Sequence, residues 1–175
     1  DLRMSRGLGD VYKRQGISMQ LLIKQRIFSW TDTYDIYDEW NNPKYFVKAE
    51  FFSLTHQLHV YDNNDREIGI IHQKMFTFLP TFEIEVDGET RGIIKKKFSF
   101  FHPQYEIDYR GWHVEGDFLG WDYDVYDACS SVIHISKKLL TWGDTYVIDI
   151  ADPEDEIDGL LLVLAIDAAN CTQNE

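Results

Sequence analysis

The run Gly159-Leu-Leu-Leu-Val-Leu-Ala-Ile166 is the most demanding stretch of the chain. It follows Asp152-Pro-Glu-Asp-Glu-Ile-Asp158, where Asp152 suits a helix N-cap and Pro153 the first helical position. The carboxylates there complement the positive end of a helix dipole. On that helix Leu160, Leu161, Leu162, Val163, Leu164 and Ile166 point in every direction, so there is no single apolar stripe. A helix apolar all round has to be buried all round. Each large aliphatic gains roughly 1.5–3 kcal/mol from burial, and a flat sheet would cover only one side. The run is well short of the roughly 20 residues of a membrane span, which makes it a core element.

What wraps the helix is indicated by an internal repeat. An aliphatic residue, three mostly polar ones, two apolar ones, a small residue and an aromatic or Leu recur six times. The copies are Ile23–Trp30, Val47–Leu54, Ile71–Phe78, Ile94–Phe101, Val114–Trp121 and Ile135–Trp142. Each is followed by an alternating segment: Tyr34-Asp-Ile36, Leu58-His-Val60, Phe82-Glu-Ile84, Tyr105-Glu-Ile107, Tyr123-Asp-Val125 and Tyr146-Val-Ile148. The first aliphatic and this residue stand 11 apart in five copies and 9 apart in the fifth. Period-two alternation in both halves predicts two strands per copy and twelve in all. Asn41-Asn42-Pro43, Asp62-Asn63-Asn64-Asp65, Asp87-Gly88 and Arg110-Gly111 supply the turns.

The expected fold is therefore all-β with one helix: a twelve-stranded closed β-barrel around a buried C-terminal helix, which also removes exposed sheet edges. A β-trefoil has twelve strands too, but it requires a threefold repeat and no central helix. First strands are mostly basic outside (Lys24, Arg26, Lys48, His72, Lys74, Lys95, Lys97, Lys138). Second strands are largely acidic (Asp35, Glu83, Glu85, Glu106, Asp108, Asp122, Asp124, Asp149). Cross-strand pairs of about 0.2–1 kcal/mol each are expected. Glu115 and Asp117 break the rule in the fifth copy. Gln25, Ala49, Gln73, Lys96, Gly116 and Lys137 fall on the presumed inner face and are too polar for a core; a bulge or a barrel mouth at their level would account for them.

Residues 1–18 fit none of this. The segment ending Val-Tyr-Lys-Arg-Gln15 resembles translated sequencing adapter, and it is read as a non-native or disordered extension. The barrel domain is expected over 19–170 and a short polar tail over 171–175. A net charge of −13 disfavours nucleic-acid binding. Two cysteines, Cys129 and Cys171, are too few for a disulfide framework, and a reducing cytoplasm is the simpler reading.

Three stretches resemble the LURP-one-related proteins, including bacterial YxjI-like members, within the tubby C-terminal-like group. These are LLIKQRIFSWTDTYDIYD near the start, KMFTFLPTFEIEVDG in the middle and TWGDTYVIDIADPEDEIDGLLLVLAIDAA at the end. The resemblance covers about Met19 to Ala169 and implies a twelve-stranded barrel threaded by a hydrophobic C-terminal helix. Relatives in that group include phosphoinositide-binding tubby domains and phospholipid scramblases, and plant members are associated with defence responses. No motif allows the tubby lipid-binding residues to be transferred.

Lys95 and Lys97, with Lys138, are the best candidates for binding an anion or a phospholipid headgroup. The competing account, a solvated strand face paired with acidic neighbours, is favoured given the charge. The scattered histidines (His56, His59, His72, His102, His113, His134) read as strand residues, not metal ligands. Asp62–Asp65 lacks the glycine and distal Glu of a calcium loop and reads as a turn. Asp167 opposes the helix dipole; it either lies at the barrel mouth in water or, if buried, needs a partner such as Lys96 or Lys137. Cys129 has no identifiable activating partner. No nucleophile elbow, phosphate loop, dinucleotide fingerprint or zinc signature occurs, so no catalytic, cofactor or metal residues are assigned.

The leading functional expectation is a non-enzymatic cytoplasmic binding or scaffold domain that contacts phospholipid headgroups at the membrane periphery. The alternative is a structural or stress-response protein acting through protein partners. An enzyme or a scramblase-like lipid mover ranks below both.

Overall fold

The structure is a computed structural model that describes residues 18–24, 33–52, 54–140 and 143–172. Residues 1–17 of the expected extension, residues 25–30 of the first repeat copy, Trp142 and residues 173–175 of the tail lie outside the described residues.

Twelve antiparallel strands form one sheet: β1 (Met19–Ile23), β2 (Thr33–Asp38), β3 (Pro43–Phe52), β4 (Thr55–Asp62), β5 (Glu67–Gln73), β6 (Thr81–Val86), β7 (Glu89–Lys97), β8 (Gln104–Tyr109), β9 (His113–Asp117), β10 (Asp122–Asp127), β11 (Ser130–Leu140) and β12 (Gly143–Ile150). Strands adjacent in sequence pair, and β1 pairs with β12 from Met19↔Ile150 to Ile23↔Tyr146. The sheet thus curls into a ring. The ring is not fully sealed: β8 and β9 form the two ends of the strand order and share no ladder.

The helix α1 (Glu156–Cys171) runs inside this ring, with Gly159 through Asn170 all buried. Leu160 to Ile166 have no exposed surface. They meet the inward members of the alternating strands, such as Ile36, Val60, Ile71, Phe82, Ile84 and Ile148, in one continuous cluster. At Gly69 on β5 an added Cβ would lie 2.7 Å from Leu161 Cδ1, so glycine lets the helix approach that strand. Asp152 caps a one-turn 3-10 segment (Pro153–Asp155), accepting from the Glu154 amide at 3.1 Å, and α1 starts only at Glu156. The helix ends at Cys171, one residue into the stretch expected as tail.

A meander sends its connections alternately to two ends, and here the ends differ in chemistry. The even-to-odd turns are tight and polar. Asp38 Oδ1 accepts from the amides of Trp40 (3.0 Å) and Asn42 (2.8 Å). Asp62 Oδ1 accepts from Asn64 (2.8 Å) and Arg66 (3.1 Å), so the Asp62–Asp65 segment is a side-chain-braced hairpin turn. Asp87 and Gly88 both have positive φ, 53° and 78°, as a two-residue hairpin turn of mirror type requires. The N-terminus of α1 is latched at this turn end. Arg110 reaches Asp155 (2.8 Å) and Asp158 (2.9 Å), while the Tyr45 hydroxyl donates to Glu156 (2.8 Å). The acidic stretch 152–158 is thereby used in capping and in this latch.

The odd-to-even connections gather at the opposite, loop end, where α1 terminates. The repeat's apolar half does not lie within strands there. β5 stops at Gln73 and β7 at Lys97, so Met75, Phe76 and Phe78, and Phe98, Phe100 and Phe101, fall in the loops beyond them. All six are exposed. The polar inner-face positions also resolve at this level: Lys137 and Gly116 are exposed and Ala49, Gln73 and Lys96 half-buried, which places them at the barrel mouth.

Candidate functional site

Odd strands run toward the loop end, so the lysines near their C-terminal ends ring that end. Lys95 and Lys97 sit on the outer face of β7 in its last turn of pleat, both exposed. Lys138 is exposed near the end of β11. In the sheet order β7 and β11 are separated by β8, β9 and β10 going round the seam. Lys95 and Lys97 are therefore brought together, and Lys138 is not brought to them. The three form part of a collar, not one cleft.

The lysines differ in their ionic surroundings. Lys44 is paired with Glu156 (2.5 Å), Lys48 with Glu50 (2.9 Å), Lys74 with Glu83 (3.1 Å) and Lys137 with Asp144 (3.4 Å). Among the described residues, Lys95, Lys97 and Lys138 make no ion pair. Lys95 stands opposite Glu106 in the ladder without closing on it, and Lys97 faces Gln104. The neighbour-pairing account holds for Lys74 and not for these three. Three of the histidines, by contrast, are cross-strand partners of carboxylates: His72 with Glu83 (3.2 Å), His134 with Asp124 (2.9 Å) and His59 with Glu67 (2.8 Å). No group of three metal-ligating side chains occurs among the described residues.

Between the β3–β4 turn and the β5–β6 loop lies a groove of about 300 Å³, lined by Leu54, Met75, Phe76, Phe78 and Pro80 with Lys74 at its edge. A second hollow of about 380 Å³ lies at the mouth of the seam, between His102 and Pro103 on one side and Asp117, Phe118 and Leu119 on the other. Behind it Asn170, on the last turn of α1, accepts from the Tyr105 hydroxyl and donates to the Phe118 carbonyl at 3.0 Å.

Asp167 is not in water at the barrel mouth, and neither lysine considered for its buried state pairs with it among the described residues. It is 8% exposed, Lys137 is engaged with Asp144, and Lys96 forms no ion pair among the described residues. Both lysines lie at mouth level, while α1 holds Asp167 deeper, near Tyr123 and one turn before Cys171. Burial pushes the Asp167 carboxyl up to about 8 and contributes to raising the Cys171 thiol to about 12. Burial thus favours the neutral acid over the carboxylate, the form that needs no cation.

The loop aromatics were missed as functional residues in the sequence because their periodicity matches that of the strands they follow. Their missing partner is the signal: four residues past the buried aliphatic Ile71 or Ile94, no further alternation with the core is possible once the strand has ended.

A meander of twelve strands curled around an axial hydrophobic helix is the tubby C-terminal-like architecture. The model of the LURP-one-related family matches residues 19–167, and the chain belongs to that family. It is 32% identical over 149 residues to the protein YxjI of Bacillus subtilis (strain 168), covering 85% of this chain and 92% of that one. An X-ray structure of a protein from Arabidopsis thaliana superposes with a TM-score of 0.59 at 16% identity, over 86% of this chain and 91% of the other. That likeness shows the shared fold. No helix among the described residues is long and apolar enough to cross a membrane.

Proposed function

We propose that this chain is a non-enzymatic binding domain that holds anionic phospholipid headgroups against the lysine collar at the loop end. The observation that carries the reading is that Lys95, Lys97 and Lys138 are left without carboxylates while Lys44, Lys48, Lys74 and Lys137 are each paired. An unpaired ammonium on a protein of net charge −13 is a local positive site in a repulsive field. It attracts anions only at short range, which favours a ligand fixed at a surface over one free in solution. The hollows at this end mix apolar side chains (Met75, Phe76 and Phe78; Phe118 and Leu119) with polar ones, as a surface that binds an amphipathic molecule would. Neither Cys129, which is exposed, nor Cys171, which is half-buried, is in a disulfide, which favours a reducing compartment, so the cytoplasmic face of a membrane is the proposed location.

Co-sedimentation with vesicles tests this. Equimolar phosphatidylcholine and phosphatidylserine should pull the chain down at low salt, and phosphatidylcholine alone should not. Lys95→Gln/Lys97→Gln/Lys138→Gln should weaken the interaction and flatten its salt dependence. Equal binding of the triple variant and the parent would overturn the headgroup assignment.

A further inference from the structure

We propose that the loop end is an insertion surface, whose β5–β6 and β7–β8 loops place their phenylalanines in the headgroup–acyl boundary of an anionic bilayer. This rests on the headgroup reading above and adds the part of the membrane contacted, the segments that enter it and the orientation of the barrel.

The exposed apolar residues of the barrel are concentrated at this end. Phe76 is 94% exposed, Phe78 98%, Phe100 83% and Phe101 91%. Scattered apolar side chains on a surface are ordinary; several fully presented rings on adjoining loops are not. The two loops adjoin because β6 pairs with β7, and the Lys96 amide donates to the Pro80 carbonyl at 2.9 Å, fixing the base of one loop to the strand that leads into the other. Phe98 and Phe100 meet edge-to-face at 5.0 Å, so that loop presents a preformed pair of rings. Phe76 has φ of 57°, a left-handed conformation that glycine or asparagine adopts at much lower cost than a bulky side chain.

The shape and charge of the surface favour lipid over protein. The rings stand on separate convex tips, and a protein partner would need a matched socket for each, whereas a fluid interface closes around them without one. Lys95 and Lys97 lie on the strand that feeds the Phe98–Phe101 loop, where long aliphatic stems allow an ammonium to reach phosphates while the loop is immersed. A second copy meeting face to face would bring the same unpaired lysines together. Asp117 and Asp122 flank the β9–β10 connection on the other side of the mouth, so the β5–β8 side enters deepest. The turn end, with its side-chain-braced turns and the Arg110 latch, faces the aqueous phase.

The experiment uses the full chain with an environment-sensitive NBD label. Phe78→Cys is labelled in a Cys129→Ser background; the Cys171 thiol, raised to about 12, is nearly unreactive at neutral pH. On equimolar phosphatidylcholine–phosphatidylserine vesicles the label at position 78 should brighten and shift to the blue, and a label at Asn64→Cys on the turn end should not. Phe76→Ser/Phe78→Ser/Phe100→Ser/Phe101→Ser should lose at least about tenfold in partitioning with an unchanged melting temperature, because these side chains are exposed. An aqueous-like emission at 78 on bound protein, or undiminished partitioning of the serine variant, would overturn insertion. If the triple lysine variant then loses binding, the headgroup reading stands alone. Loss in the serine variant without loss in the lysine variant supports insertion and removes the lysines. Absence of partitioning by the parent chain overturns both.

Discussion

The Asn170 side chain donates to the Phe118 carbonyl at 3.0 Å, which ties the last turn of the central helix to the connection after β9. The same amide group accepts from the Tyr105 hydroxyl on β8. β8 and β9 share no ladder, so the helix itself joins the two margins that backbone pairing leaves apart. Tyr105 and Phe118 also meet edge-to-face at 5.3 Å across this gap. Hydrophobic burial keeps α1 in the barrel, and α1 in turn holds the barrel shut at the end where the loops gather.

Asn170→Ala should accordingly cost about 1–3 kcal/mol, the usual cost of leaving a buried polar group without its partner. Urea unfolding followed by tryptophan fluorescence measures it. A change below about 0.5 kcal/mol would mean the seam is held by packing alone.

Asp167 gives the stability a definite pH dependence. Its carboxyl is pushed up to about 8 in the folded chain, against 3.8 as the ordinary value. Between those values the folded state keeps a proton that the unfolded state releases. The stability from this protonated group is therefore full below the ordinary value and is lost as pH rises toward about 8, with a limiting slope of about 1.4 kcal/mol per pH unit. Asp167→Asn should remove that slope and be the more stable form above neutrality. The difference between the two urea midpoints, taken near about pH 5 and about pH 8, isolates this one group. A variant destabilised equally at both would show that the carboxylate has a partner after all.

Gly69→Ala should destabilise by about 1–3 kcal/mol through overpacking. The new methyl would lie 2.7 Å from both Leu161 Cδ atoms, deep in the contact between α1 and β5. Gly88→Ala makes a useful contrast, since nothing lies within 4 Å of its added Cβ and its cost would arise from the positive φ of 78° alone. If both variants unfold at the parent's urea concentration, the helix is less tightly enclosed than the burial of Leu161 indicates.

The barrel was legible because its main determinants are local. Leu160 to Ile166 announce a helix enclosed on all sides, Phe82-Glu-Ile84 and its counterparts announce inward faces by alternation, and Asp87-Gly88 announces a hairpin. The seam was not legible, since it depends on tertiary geometry: Gly116 adopts φ of 132°, and a Cβ there would fall 2.5 Å from the Asp122 carbonyl. Alternation in the fifth copy conveys none of this. Of the candidate lysines, Lys95 and Lys97 could be joined from sequence because they are two residues apart on a strand, but the distance of Lys138 from them follows from strand order. Phe76, Phe78, Phe100 and Phe101 were the hardest to place. Hydrophobicity marks a residue as wanting an apolar surrounding, and it does not say whether the barrel core or something outside the molecule provides it. Asp167 stands out in the sequence as odd, but whether it meets water at the mouth or is buried depends on the helix's depth in the barrel, and burial raises its carboxyl toward the neutral form.

The two ends of this barrel differ: the turn end latches the helix, and the loop end is the proposed membrane surface. Amide hydrogen exchange with and without phosphatidylserine-containing vesicles tests that division most directly. Slowed exchange should be confined to the 74–80 and 98–103 loops, with the turns at 38–42 and 62–66 exchanging as they do in solution. Vesicles that leave the two loops unchanged, or that protect the turn end instead, would contradict it.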